Sequence, residues 1–163
     1  MDARGEAVQA MAMALGRLPS GLVILTARQG DRETGMLASW VQQCSFDPPQ
    51  VTVAVRSDRD ILAWLPVGAA FTVNLLIEDQ TSLLIHFGKG FALDQPAFTG
   101  LDVERIAGEA PVLPDTLAYL LCRVTARYPA GDHDLIIGTV IGGRVLDLEA
   151  RPYVHVRKNG LRY

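Results

Sequence analysis

The sequence predicts a mainly β fold, a small antiparallel β-barrel with short peripheral helices. Two observations carry this. Roughly six segments rich in Val, Ile, Leu and Thr are bounded by Gly, Pro and Asp turns. The connections between them are too short for a series of helical crossovers, so neighbouring strands must run antiparallel. At 163 residues and 49% hydrophobic content, the chain can bury one core, and residues 1–163 read as a single domain.

The elements follow in order. Residues 6–15, rich in Ala and Met, read as a helix. "RLPSG" stops it, because Pro19 cannot continue a helix. "GLVILTARQ" reads as a buried strand, "GDRETG" as a hairpin connection, and "MLASWVQQCSF" as the next strand, ended by "DPP". "QVTVAVR" alternates with the period of a strand. "SDRDILAWLPVG" reads as a short helix capped by Asp58 or Asp60. "AAFTVNLLI" is another strand. "EDQTSLLIHFGKG" is a second short helix, with Asp79 as cap and Ser82 completing a weak capping box. Residues 91–115 are irregular. "TLAYLLCRVTARY" is a long strand, "HDLIIGTVIGGRVLD" a hairpin turning near Gly142-Gly143, and "YVHVRKNGLRY" a closing strand.

Composition narrows the function classes. Net charge is −3 and basic residues are scattered, which argues against nucleic acid as a partner. No apolar run approaches the roughly 20 residues of a membrane span. The N-terminus lacks a secretory pattern, so a cytoplasmic protein is expected. Cys44 and Cys122 form no CxxC pair and read as buried free thiols. GxGxxG, GxxxxGK[ST] and GxSxG motifs are all absent. His86, His133 and His155 are too far apart in sequence for a recognisable metal motif.

What remains is a set of polar residues inside apolar strands: Ser39, Gln42, Gln43, Ser45, Arg56, Ser57, Arg59, Asn74 and Lys89. Buried polar groups need partners, and a polar ligand is one source of them. The fold is another source. Asn74 is evenly balanced between the two, and Ser39 and Ser45 can bond nearby backbone. Arg56 and Arg59 can pair with Asp58 and Asp60, and Lys89 can answer a helix dipole. Trp40 and Trp64 read as core, His155 as the polar face of a strand, and His86 has no clear role. His133, between two aspartates in "GDHDLIIGTV", admits three roles: metal ligand, substrate contact or turn. On these residues alone the chain is a small β-barrel with groups suited to an anionic ligand.

The order of motifs adds to this. "ALGRLPSGLVILTA", "GMLASWVQQCSFDPPQVTVAV", "FTVNLL", "HFGKGF", "LAYLLCRVTARYPAGDHDLIIGTV" and "YVHVRKNGLRY" together resemble the flavin reductase-like family, from about Leu15 to Tyr163. The look is similar to the C-terminal flavin reductase domain of cyanobacterial diflavin flavodiiron proteins. Their metallo-β-lactamase-like and flavodoxin-like domains have no counterpart here, so the chain resembles a free-standing relative or an excised domain.

The resemblance implies an FMN-binding split β-barrel, a homodimer with FMN (or FAD in its place) at the interface, and hydride transfer from NADH or NADPH. By the same resemblance, Met36, Leu37, Ala38, Ser39, Trp40 and Val41 line the isoalloxazine, beside Asn74, Leu75 and Leu76. Ser45, with Cys44 beside it, lies near the ribityl-phosphate. Val55, Arg56, Ser57 and Lys89 are on the phosphate side, with Phe87 in the same motif as Lys89. His133 faces the nicotinamide. Two departures stand out. Many free-standing reductases have Ser-Val-Ser where this chain has Gln43-Cys44-Ser45, and Thr where it has Asp134. A second carboxylate beside His133 would repel a phosphate-rich nucleotide. That motivates an alternative: a flavin-binding electron-relay module with little NAD(P)H turnover, passing electrons to an acceptor protein.

Overall fold

In the computed structural model, which describes residues 3–162, helix α1 (Ala3–Gly16) leads into nine strands. They are β1 (Ser20–Gly21), β2 (Val23–Gln29), β3 (Arg32–Ala38), β4 (Val41–Phe46), β5 (Pro49–Arg56), β6 (Ala70–Leu75), β7 (Ala118–Ala130), β8 (His133–Val145) and β9 (Val154–His155). A 3-10 helix (Asp60–Trp64) precedes β6, and α2 (Thr81–Gly88) follows it. Seven strands form one antiparallel sheet in the order β3-β2-β6-β7-β8-β5-β4, and β1 pairs with β9. The mainly β, antiparallel expectation matches this architecture. No helix among the described residues is long and apolar enough to cross a membrane.

β3 and β4 are the two edges of the sheet, yet only Ser39 and Trp40 separate them. The expected single strand 36–46 is therefore two. A continuous strand cannot serve both edges, so the chain steps from one edge to the other across this link. The Trp40 carbonyl accepts a bond from Ala54 N at 3.0 Å, which anchors the step to β5. The sheet must curl until its edges meet at this corner.

The expected turn at Gly142-Gly143 is also corrected. β8 runs straight through both glycines, opposite Leu121 and Leu120 of β7. A Cβ on Gly143 would lie 2.7 Å from the Tyr119 carbonyl oxygen. Gly143 allows close approach between strands rather than reversal. The reversal falls at Gly131-Asp132, where Gly131 takes φ +64°.

Local caps differ as well. Neither Asp58 nor Asp60 caps the 3-10 helix, which starts after Arg59 without a side-chain cap. Asp58 is instead bound by Arg56. Asp79 takes φ +64° and Gln80 precedes α2, its side chain accepting from Ile77 N at 3.0 Å. The expected closing strand shrinks to β9. Beyond it the tail returns to α1, with Arg157 N bonded to Gly16 O at 3.0 Å. Tyr163 lies outside the described residues. Cys44 is exposed, against the expectation of burial, because β4 is an edge strand. Cys122 is buried, and desolvation pushes its thiol up to about 12.

The core has two parts because β2 buries both faces. Val23, Leu25 and Ala27 pack with Val53, Phe71, Val73 and Ile136, while Leu22 and Ile24 pack with Leu76, Leu83, Phe87 and Leu113. That explains the unbroken apolar run "GLVILTA". Trp64 belongs to the first part at 3% exposure, as expected; Trp40 is only half-buried. The irregular segment 91–115 is pinned to the sheet by three buried polar side chains. Thr26 Oγ1 donates to Pro111 O at 2.6 Å and Thr72 Oγ1 to Ala110 O at 3.0 Å. Asn74 Oδ1 accepts from Leu113 N at 2.8 Å.

Candidate functional site

Two cavities open on either side of the β3–β4 link. The smaller, about 360 Å³, is floored by Leu22, Met36, Leu37, Ala38, Leu84 and Phe87. Arg56, Arg59, Gly88, Gly90 and His155 form its polar rim. The larger, about 530 Å³, is lined by residues 19–21, Trp40, Val41, Gln42, Thr52, Leu135 and Val154. Ser39 and Ala54 line both, so the cavities share a wall.

Curling of the sheet builds this arrangement. β3 supplies the floor of the smaller cavity, β5 sends Ala54 and Arg56 to its side, and the end of α2 closes it. Gly90, at φ +76°, lets the Arg59 guanidinium come close to backbone: a Cβ there would lie 3.5 Å from Nη1. Arg59 makes no side-chain hydrogen bond or ion pair among the described residues, so its donors are available to an anion. Arg56, by contrast, binds Asp58 at 2.7 Å through Nε. An apolar slot with a guanidinium at its rim suits a flat ring carrying an anionic tail, which is the shape and charge of FMN. Cations beside the end of α2 also answer the negative pole of that helix.

Of the expected ring-lining residues, Met36, Leu37, Ala38 and Ser39 line the smaller cavity and Ser39, Trp40 and Val41 the larger. Phe87 floors the smaller one. Lys89 lies between the lining glycines Gly88 and Gly90, its Nζ 5.1 Å from the Phe91 ring centre. The remaining residues lie elsewhere. Cys44 and Ser45 lie further along the edge strand β4. Val55 is core, at 1% exposure. Ser57 Oγ donates to Asp134 Oδ1 at 2.9 Å. Asn74 is fully buried, donating to Ile24 O at 3.1 Å and accepting from Leu113 N, so its side chain serves the fold. Leu75 and Leu76 pack into the two halves of the core.

His133 is 7% exposed and stacks against Trp40, ring centres 4.7 Å apart. Trp40 in turn lies under the Arg157 guanidinium, at 5.0 Å. Asp134 is held by Arg127 Nε at 2.6 Å as well as by Ser57. Arg127 and then Ser57 hold its carboxyl below the usual carboxylate range. The charge expected to repel a nucleotide is therefore neutralised within the fold.

Arg59 stands in "VRSDR", but nothing in that stretch separates it from Arg56. His155 reaches the rim because β9 pairs with β1, Ser20 opposite His155. Strand alternation placed it on a polar face but gave no sign of which cavity that face met. His86 Nε2 bonds Ala97 O at 2.7 Å, tying α2 to the 91–115 segment.

Comparison with known proteins gives the family and the fold. The family model described as "Flavin reductase like domain" matches residues 15–160. Diflavin flavoprotein A 1 of Synechocystis sp. is 42% identical over 151 residues, covering 92% of this chain and 26% of that protein. The chain thus spans about a quarter of such relatives. Among solved structures, the Streptomyces globisporus C-1027 NADH:FAD oxidoreductase SgcE6 superposes with a TM-score of 0.82 at 23% identity, covering 96% of this chain and 92% of that one. Flavin reductase PheA2 in its native state gives 0.73 at 27% identity, covering 96% and 94%.

Proposed function

The chain belongs to the flavin reductase-like domain family, and we propose that it is an NAD(P)H-dependent flavin oxidoreductase built on a split β-barrel. It holds FMN, or FAD in its place, in the smaller cavity and admits NADH or NADPH to the larger. The observation that carries this is the pair of cavities sharing the Ser39–Ala54 wall, one with an apolar floor and an available guanidinium.

A bound flavin supplies hydride acceptance from the nicotinamide and onward delivery of electrons to a free flavin or an acceptor protein. The chain's own residues prepare for that. Arg59, with Lys89 nearby, neutralises the phosphate. Met36, Leu37, Leu84 and Phe87 keep water from the ring slot. Ser39 and Ala54, which line both cavities, mark the border at which the two rings would have to meet for hydride transfer. His133 and Trp40 border the nicotinamide side. A homodimer closing over the cavities is part of the same reading, supported by Val154 and Val156, which stay 61% and 49% exposed near the rim. The two unpaired cysteines support a reducing, cytoplasmic setting.

The pairing of Asp134 removes one motive for a relay module with little NAD(P)H turnover; the other, the likeness to one part of larger diflavin flavoproteins, stands. Purified protein is expected to be yellow, or to turn yellow with FMN, and its flavin absorbance to bleach with NADH or NADPH under anaerobic conditions. Protein that takes up no flavin would overturn the proposal; bound flavin that neither nucleotide reduces would select the relay. His133→Ala is expected to keep flavin bound and slow its reduction several-fold. Unchanged stopped-flow kinetics would remove His133 from the nicotinamide side.

A further inference from the structure

The turn at Gly131-Asp132 sets a carboxylate beside an imidazole. His133 Nδ1 lies 2.7 Å from Asp132 Oδ1. The ring is buried and Trp40 lies against it. Among the described residues, His133 Nε2 is the one buried side-chain nitrogen or oxygen with no hydrogen-bond partner. Such an atom is costly to leave unpaired, and the fully buried Thr26, Thr72, Asn74 and Thr116 side chains have partners. The orphan nitrogen therefore points to a ligand.

The chemistry of the dyad defines that ligand. An ionised carboxylate only accepts, so the proton of the Asp132–His133 bond sits on Nδ1. Hydrogen bonding to His133 holds the Asp132 carboxyl below the usual range, which keeps it in the accepting form. A neutral ring protonated on Nδ1 carries its lone pair on Nε2.

We propose that Asp132 is a positioning residue that locks His133 in the Nδ1–H tautomer, making Nε2 an acceptor for an N–H donor: the primary carboxamide of the nicotinamide nucleotide. The assignment rests on the reading of His133 as nicotinamide-facing. His133 itself lines neither cavity; Trp40, which lines the larger one, lies against its ring. The opposite tautomer would present a donor and select the carboxamide oxygen instead. Asp132 is well placed for testing, because its side chain is 86% exposed and the fold does not rest on it.

The test reads the ring nitrogens directly. Histidine is labelled with nitrogen-15 and long-range proton–nitrogen correlations are recorded over a pH series. The chain has three histidines, and His133→Ala assigns the signal. Neutral His133 is expected to carry its proton on Nδ1 in the native protein and to shift toward Nε2–H in Asp132→Ala. A proton on Nε2 in the native protein, or an unchanged tautomer in the variant, overturns the proposal. In parallel, Asp132→Ala should raise KM for the reduced nucleotide roughly five- to tenfold, the scale of one lost hydrogen bond, with flavin affinity unchanged. The reduced 3-acetylpyridine analogue, which lacks the amide N–H, should bind the native protein more weakly than NADH by a similar factor. Equal KM for the two nucleotides would overturn the acceptor assignment. Failure of the nicotinamide-facing reading shows separately, as unchanged reduction kinetics in His133→Ala, since the tautomer measurement needs no nucleotide.

Discussion

Arg56 and Arg59 are close in sequence and differ in what they are free to do. Arg56 is tied to Asp58 by hydrogen bonds, whereas Arg59 reaches the rim of the smaller cavity and acts on Asp58 only through its charge. Arg59→Ala is therefore expected to weaken FMN binding by about 1–3 kcal/mol, the scale of a charged hydrogen bond, and Arg56→Ala by less. Equal losses in a fluorescence titration would contradict this ranking. Asn74 shows the limit of reading such residues from sequence. Its acceptor is used by Leu113 N, 39 residues away in an irregular segment, so no local pattern could reveal the partner. Asn74→Ala should leave that buried N–H unpaired and cost about 1–3 kcal/mol in denaturant unfolding, while sparing flavin affinity. A large loss of flavin affinity at unchanged stability would return Asn74 to the site.

At the scale of elements, strand alternation and apolar runs located nearly every strand, because burial on one face or two leaves a direct trace in the sequence. Breaks and turns leave a fainter trace. "MLASWVQQCSF" carries no punctuation at Ser39-Trp40, since that step is imposed by where the sheet edges meet. Gly142-Gly143 resembles a turn because close strand approach and chain reversal both favour glycine. Gly143→Ala should cost about 1–3 kcal/mol through overpacking against Tyr119 and Leu120; a neutral thermal melt would refute the close-approach reading. Asp134 joins β8 to β7 through Arg127, which also donates to Leu62 O at 2.8 Å by the 3-10 helix. Its folded pKa is depressed, so its contribution is present above the unfolded carboxylate value of about 3.9 and is lost as pH falls through the folded value. Asp134→Asn should thus lower stability at neutral pH, and the gap to the native protein should close in acid. A gap that persists below both pKa values would assign the loss to packing instead.

For the whole molecule, the order of motifs singles out several residues that the fold brings to one cavity: Met36, Leu37, Ala38, Ser39 and Phe87. The parts that could not be read are those made by tertiary closure: the rim from β9, and the wall shared by two cavities. Apolar side chains also remain outside the core. On α1 only Ala12 and Gly16 are buried, while Met11 and Met13 are half exposed. Sedimentation should find a dimer, and Val154→Asp should shift it toward monomer with weaker flavin binding. Monomeric native protein that binds flavin as tightly would show that one chain suffices.

The wall of Ser39 and Ala54 has a thermodynamic meaning of its own. If an occupant of one cavity displaces that backbone or its side chains, it alters the free energy of filling the other. Such coupling is reciprocal: whatever factor a nicotinamide nucleotide applies to flavin affinity, flavin must apply to the nucleotide. The order in which the two arrive then affects the rates of loading but not the final balance. A substitution at Ser39 that leaves each ligand's separate affinity intact can still change the amount of the doubly loaded form.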